Sequence, residues 1–359
     1  MLNKNVLPSV LSKGFNTVSN LSITLVIALL GVLGCGMINN MVTYKSPRAR
    51  DSASKDAPFK AYSKPRGIVG QNLWKAPSVK SIQKNKEMIL YGKELIVNTA
   101  KYLGPKGSVK PISNGLNCQN CHLAGGTQPF GNNYGGVAST YPKLRHRPGK
   151  IVDIPERINA CFQRSLNGSP LPLNSTELKA MVAYMKWLGK GVPKGIKPKG
   201  AGLYKIAYLN RAASPEKGKV VYLKHCERCH GSNGEGLLKA AGISYKYPPL
   251  WGANSYNISA GLYRVGKFAR FIKTNMPYGT SFKNIVLSDE EAWDIAAYVN
   301  TKPHPTKKFK EDWATNLINK PLDAPFGPYV DEFTEKEHKY GPYPPIQKAI
   351  QKLKKTDVI

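Results

Sequence analysis

Two short stretches limit what this chain can become: Cys118-Gln119-Asn120-Cys121-His122 and Cys226-Glu227-Arg228-Cys229-His230. Each reads C-x-x-C-H, in which two thiols add across the two vinyl groups of a porphyrin and the adjacent histidine reaches the iron from one face. The pattern therefore predicts two covalently bound heme c groups, attached through Cys118, Cys121, Cys226 and Cys229 and ligated by His122 and His230. A zinc site assembled from both C-x-x-C pairs is the competing reading, but the interval between them is far longer than zinc spacings. Each iron then needs a sixth ligand, and that ligand decides what the iron can do.

After His230 the chain has one methionine, Met276, in Thr274-Asn275-Met276-Pro277-Tyr278-Gly279. Its place ahead of the last helix of the second half, with a proline after it, suits a distal ligand loop. His/Met ligation raises the potential and favours electron transfer. A methionine that only fills the core is the competing reading.

The first half departs from this pattern. No methionine lies between His122 and its final helix, and Met181 and Met185 stand at the i, i+4 spacing of a helical core. Cys161 lies 39 residues after His122, where Met276 lies 46 after His230. A thiolate is the metal-binding form of cysteine, and on iron it lowers the potential. Cys161 is thus the candidate sixth ligand of the first iron, with His146 and a buried, inert Cys161 as the alternatives. Arg145, Arg147, Lys150, Arg157, Arg164 and Ser165 crowd around it in sequence. Guanidinium forks bind oxyanions bidentately, so the cluster points to an anionic sulfur substrate.

The chain has 359 residues, which allows two or three domains, and 53 Lys+Arg against 22 Asp+Glu give it a net charge of +31. No nucleic-acid motif accompanies that charge, and covalent heme is attached outside the cytoplasm, so nucleic acid is excluded as a partner. Small anions, an acidic redox partner or anionic lipid fit it better. Lys4 and Lys13 precede an apolar run over 21–33 followed by Gly34-Cys35-Gly36. This reads as a signal peptide with a lipobox, Cys35 carrying the lipid, or as an uncleaved membrane anchor. Either one places the rest on the extracytoplasmic, periplasmic side of a membrane.

The organisation follows from periodicity and punctuation. Residues 1–38 are the leader or anchor and 39–83 an extended tether. A first domain spans 84–190, with a helix through Met88, Ile89, Leu90, Leu95 and Ile96, a Gly-rich loop over 125–136, and a closing helix to Leu188 opened by an Asn174-x-x-Glu177 capping box. A Gly/Lys/Pro-rich linker follows over 191–202. The second domain, 203–301, repeats the order: a helix over 215–223, the heme motif, a long irregular stretch, and a helix to Asn300 opened by a Ser288-x-x-Glu291 box. This order resembles the small all-α cytochrome c fold in duplicate. The tail 302–359 is expected to be irregular and to wrap the surface without making a third core.

Three blocks carry a more specific resemblance: Asn117 to Gly126 around the first heme motif; Tyr141-Pro142, Arg145, Arg147 and Gly149-Lys150; and Glu156-Arg157-Ile158-Asn159, Cys161-Phe162, Arg164-Ser165 and Asn167-Gly168. Together they are similar to the diheme thiosulfate dehydrogenases, relatives of the cysteine-ligated cytochromes of sulfur oxidation, over most of 94–345. The tail block Tyr340-Gly341-Pro342-Tyr343 belongs to the match. The resemblance implies that two thiosulfates are joined to tetrathionate, or the reverse, at a His122/Cys161 heme. Arg147, Arg157 and Ser165 fall at substrate-pocket positions, and electrons leave through the His230/Met276 heme to an external cytochrome c or other redox partner. Some members carry a lysine directly before the methionine and exchange ligands on reduction. Asn275 stands there in this chain, so that exchange does not carry over. Relatives with this asparagine can favour tetrathionate reduction, and the direction stays open. A membrane-tethered diheme electron carrier without its own substrate is the rival reading, but it has no use for a thiolate-ligated iron.

Overall fold

The computed structural model describes residues 72–356. The leader 1–38 with Cys35, and the tether up to residue 71, lie outside them. Within the described part of the tether one 3-10 turn forms, Val79–Ser81. Trp74 N donates to Lys199 O at 3.0 Å and its indole lies against Gly135, so the segment is fastened to the first domain.

The first core is built by three helices: α1 (Lys86–Val97), α2 (Ile154–Arg164) and α3 (Thr176–Leu188). The apolar stripe of α1 buries Ile89, Leu95 and Ile96 against Leu178, Met181 and Leu188 of α3. The two helices cross where Gly92 meets the backbone of Ala180; a Cβ on Gly92 would overlap that carbonyl. The cap of α3 is displaced by one residue from the expected box. Ser175, not Asn174, accepts from Leu178 N, and Glu177 instead accepts from the Tyr91 hydroxyl at 3.2 Å. Ser and Asn compete closely at N-caps, so the pattern alone did not separate them.

The second core repeats the device with α4 (Pro215–His225), α5 (Val265–Asn275) and α6 (Asp289–Val299). Here α4 crosses α6 at Gly218, whose missing side chain admits the Asp294 carbonyl. The Ser288/Glu291 box opens α6 as expected.

Two features depart from an all-α chain with an irregular tail. Among the described residues three two-stranded ladders are present, and two bear on function. In β2 (Lys143–Arg145) and β3 (Lys150–Val152), a hairpin aims a pair of cations. In β1 (Gly131–Asn133) and β4 (Gly202–Leu203), the end of the linker pairs with the Gly-rich loop. The tail, in turn, carries helices at Glu335–Tyr340 and at α7 (Tyr343–Thr356). Tyr343, Ile346 and Ile350 of α7 are buried in the second core. Their i, i+3, i+7 spacing is a helical stripe that Pro-rich flanks obscured. Among the described residues no helix is long and apolar enough to cross a membrane.

The halves are clasped beside α2. Fully buried Asn257 donates to Gln163 O and Asn167 Oδ1 at 2.9 and 3.0 Å, and Asn114 donates to Ser255 O at 2.9 Å.

Candidate active site

Cys161 owes its placement to the period of α2. Asp153 and Glu156 form a reciprocal capping box and Pro155 occupies the first turn, so the helix start is well defined. Counting from there, Arg157, Cys161 and Ser165 recur every four residues and share one face. That face lines a cavity of about 440 Å³ whose other walls include Cys118, Cys121 and His122. The opposite face of α2 is structural: Asn159 exchanges hydrogen bonds with the Leu171 backbone at 2.8 and 2.9 Å.

His122 faces Cys161 across this cavity. Its Nδ1 lies 2.6 Å from Asn132 O and its ring stacks on Tyr134 at 4.5 Å. A carbonyl only accepts, so Nδ1 carries the proton and Nε2 keeps its lone pair for a metal. Three cysteines line the cavity and their environments differ. Burial pushes the Cys118 and Cys121 thiols up to about 12. Burial pushes on Cys161 too, but Arg157, the His122 ring and Arg145 reverse it and bring the thiol down to about 6. Cys161 is thus the one poised to be a thiolate.

The second heme motif lines a cavity of about 320 Å³ with Met276, which follows the last residue of α5. His230 Nδ1 lies 2.8 Å from Pro248 O, again leaving Nε2 for a metal. Both cavities are largely apolar, with paired thiols and an oriented imidazole, and their residues fit heme c. Leu116, Asn117 and Cys121 line both cavities, so one thin wall separates the two sites. The two C-x-x-C pairs do not converge. Among the described residues no cluster of three or more His, Cys, Asp or Glu is arranged for a metal.

The cationic cluster separates into two sets. Arg145, Arg157 and Ser165 line the Cys161 cavity. Arg147, Lys150, Arg164 and His146 line only an adjoining outer cavity of about 540 Å³. Arg147 donates to Ser259 O at 2.7 Å and lies 3.9 Å from Asp312, and burial pushes it down to about 10. Arg164 grips Asp312 with both arms at 2.7 and 2.8 Å. His146 is exposed and pairs with Asn316 at 3.3 Å, away from His122. Arg145, Arg157, Ser165 and Lys267 line both cavities and so frame the passage between them. Asn275 is buried and accepts from Gln128 Nε2 at 2.8 Å, which ties the turn before Met276 to the first domain. Lys273 is committed to Leu287 O and Asp289, both at 2.7 Å.

Sequence reasoning missed the contribution of α5. Arg264, Lys267 and Arg270, three residues apart amid Phe268, Phe271 and Ile272, were the available signal: a basic stripe on an otherwise buried helix.

Residues 109–193 match the family model described as the SoxA/TsdA cytochrome c domain, and residues 215–302 match that of cytochrome c. The thiosulfate dehydrogenase of Stutzerimonas stutzeri is 35% identical over 238 residues, covering 66% of this chain and 74% of the relative. That of Allochromatium vinosum is 40% identical over 218 residues, 59% and 79% of the two chains. The chain belongs to the thiosulfate dehydrogenase family. It is a diheme c-type cytochrome of two tandem cytochrome c domains. A further relative, the thiosulfate dehydrogenase of Psychrobacter arcticus, is 42% identical over 205 residues, 56% of this chain and 61% of that one. Among solved structures, the thiosulfate dehydrogenase TsdBA of Marichromatium purpuratum superposes with a TM-score of 0.61 at 31% identity, covering 66% of this chain and 51% of that one. The chain thus spans less than two thirds of the Psychrobacter relative and about half of the Marichromatium structure.

Proposed function

We propose that this protein is a thiosulfate dehydrogenase, joining two thiosulfates to tetrathionate with release of two electrons, and able to run in reverse as a tetrathionate reductase. The observation that carries the reading is Cys161: a half-buried thiol that Arg157, the His122 ring and Arg145 bring down to about 6, facing His122 in a cavity whose mouth is framed by Arg145, Arg157 and Ser165. A site like this takes a small sulfur anion.

Cys118, Cys121, His122 and Cys161 would hold heme c in the first domain, and Cys226, Cys229, His230 and Met276 in the second; the group would supply a one-electron centre at each site. Arg157 and Ser165 bind the sulfonate, a permanent anion that requires fixed donors. They aim its outer sulfur at Cys161 Sγ. A sulfur–sulfur bond forms between the Cys161 thiolate and that sulfur as two electrons leave, giving Cys–S–S–SO3⁻. The outer sulfur of a second thiosulfate attacks the sulfur next to that sulfonate, the bond to Sγ breaks, and tetrathionate departs with the thiolate restored. No proton is exchanged. The electrons pass one at a time, across the wall shared by the two cavities, to an external cytochrome c or similar acceptor.

The extracytoplasmic location follows from covalent heme attachment. We assign the anchoring to residues 1–38, by a lipid on Cys35 or by the apolar run itself.

The test is turnover in both directions with the holoprotein and its Cys161→Gly variant. Thiosulfate should reduce an added cytochrome c with the parent protein, and the variant should lose at least a thousandfold while retaining both hemes. Electron paramagnetic resonance of the oxidised parent should show a thiolate-type ferric signal that the variant lacks. Near-normal turnover in the variant would leave a plain electron carrier as the better account.

A further inference from the structure

Tetrathionate carries a sulfonate at each end, and two thiosulfates must approach each other as dianions. One cationic site at Arg157 and Ser165 accounts for one end only. The other wall of the passage comes from the second domain. There α5 presents Arg264, Lys267 and Arg270 on one helical face. Arg264 is committed to Asp323, its Nε donating at 2.8 Å. Arg270 lines the Cys161 cavity but not the outer one, beside the Tyr208 ring.

Lys267 differs from both neighbours, because it lines the inner and the outer cavity at once. Its ammonium lies beside Gly261, 3.6 Å from where a Cβ would stand. Burial, and then Arg264, Arg157, Arg145 and Arg147, push Lys267 well below its ordinary value. Asp312 is engaged by Arg164 and Arg147, Asp323 by Arg264, and Glu156 of the outer cavity by Lys150, while Glu311 stands exposed at that cavity's wall. A like-charged group at the neck between two cavities is costly until an anion fills it.

We propose that Lys267, delivered by the second domain, holds the second sulfonate: that of the incoming thiosulfate, or the far end of tetrathionate. This rests on the functional reading above and deepens it. The substrate site then belongs to neither domain alone. Arg157 and Ser165 on α2 seat one thiosulfate against Cys161, and Lys267 on α5 seats its partner from the outer cavity, with the two reacting sulfurs between them.

The experiment uses the oxidised diheme protein carrying Cys161→Ala, in which no thiol at this position can react with tetrathionate. Tetrathionate binding is followed calorimetrically with and without Lys267→Met. Affinity should fall tenfold or more, the weight of one charge-assisted hydrogen bond, and Lys267→Arg should stay within about threefold, since it keeps the charge. In the chain with Cys161 intact, Lys267→Met should raise the thiosulfate KM more than it lowers kcat. If Lys267→Met does not accumulate with both hemes, Lys267→Gln is held to the same criterion. Unchanged tetrathionate affinity and unchanged KM in a protein that still oxidises thiosulfate would overturn the Lys267 assignment alone. A parent protein that turns over neither thiosulfate nor tetrathionate would overturn the functional reading and this inference with it.

Discussion

Arg157 is the side chain on which the proposed chemistry leans hardest, and the structure sets what its loss should cost. Arg147 and Arg164 are already engaged by Asp312. Arg157 instead raises its own basicity chiefly through Cys161, with burial opposing and the Tyr141 hydroxyl as its hydrogen-bonding neighbour. Among the described residues no carboxylate is paired with its fork, so the guanidinium can turn to a sulfonate. A charge-assisted hydrogen bond is worth about 1.5 to 3 kcal/mol. Arg157→Met removes two, and at the lower figure kcat/KM should fall by roughly 100-fold or more. Arg157→Lys keeps the charge but offers a point donor in place of a fork, which costs about one bond, or roughly tenfold. Arg147→Met should fall below either, because its guanidinium is spent on Ser259 O and Asp312. Steady-state thiosulfate oxidation with ferricyanide as acceptor reads all three, with heme absorbance confirming that each variant is loaded. An Arg157→Met protein within threefold of the parent, or an Arg147→Met protein worse than Arg157→Met, would refute this ranking.

Two further outcomes follow. Burial, with Arg145 and Arg157 beside it, brings Lys143 down to about 8; it is a cation at the cavity wall below that pH and neutral above. Thiosulfate KM should therefore rise as pH passes 8, and Lys143→Arg should flatten the rise. The sign for stability is opposite: between about 8 and the ordinary lysine value the folded state binds fewer protons than the unfolded one, so raising pH across that window stabilises the fold. A KM that is flat from pH 7 to 9 in the parent would count against Lys143. The anchoring proposed for residues 1–38 predicts that most of the protein stays with membranes after high-salt washing, because an apolar attachment is not screened by salt. Release by salt alone would count against an anchor.

Much of the site was legible because its logic is local. A C-x-x-C-H pair needs nothing beyond five consecutive residues to declare itself. That Arg157, Cys161 and Ser165 crowd together was visible in the chain; that they share one face of a helix opened by the Asp153/Glu156 box came from the structure. Met276 falls in place by counting forward from His230. What sequence could not supply were contacts between residues far apart in the chain. The cationic cluster around Cys161 looks uniform in one dimension, yet the hairpin of β2 and β3 and the helix α2 turn Arg145 and Arg157 inward and leave Arg147 and Arg164 to Asp312, a residue of the tail. The tail itself looked irregular because its helical stripe of Tyr343, Ile346 and Ile350 is apolar only toward a core formed elsewhere. Lys267 reads as one more lysine in a chain of charge +31. Only the docking of the second domain against the first, through Asn257 and Asn114, makes it part of the passage to Cys161. Periodicity and covalent motifs are properties of a short segment. Which cation meets which anion depends on how separate segments pack, and burial then decides which charges stay paired and which wait for a substrate.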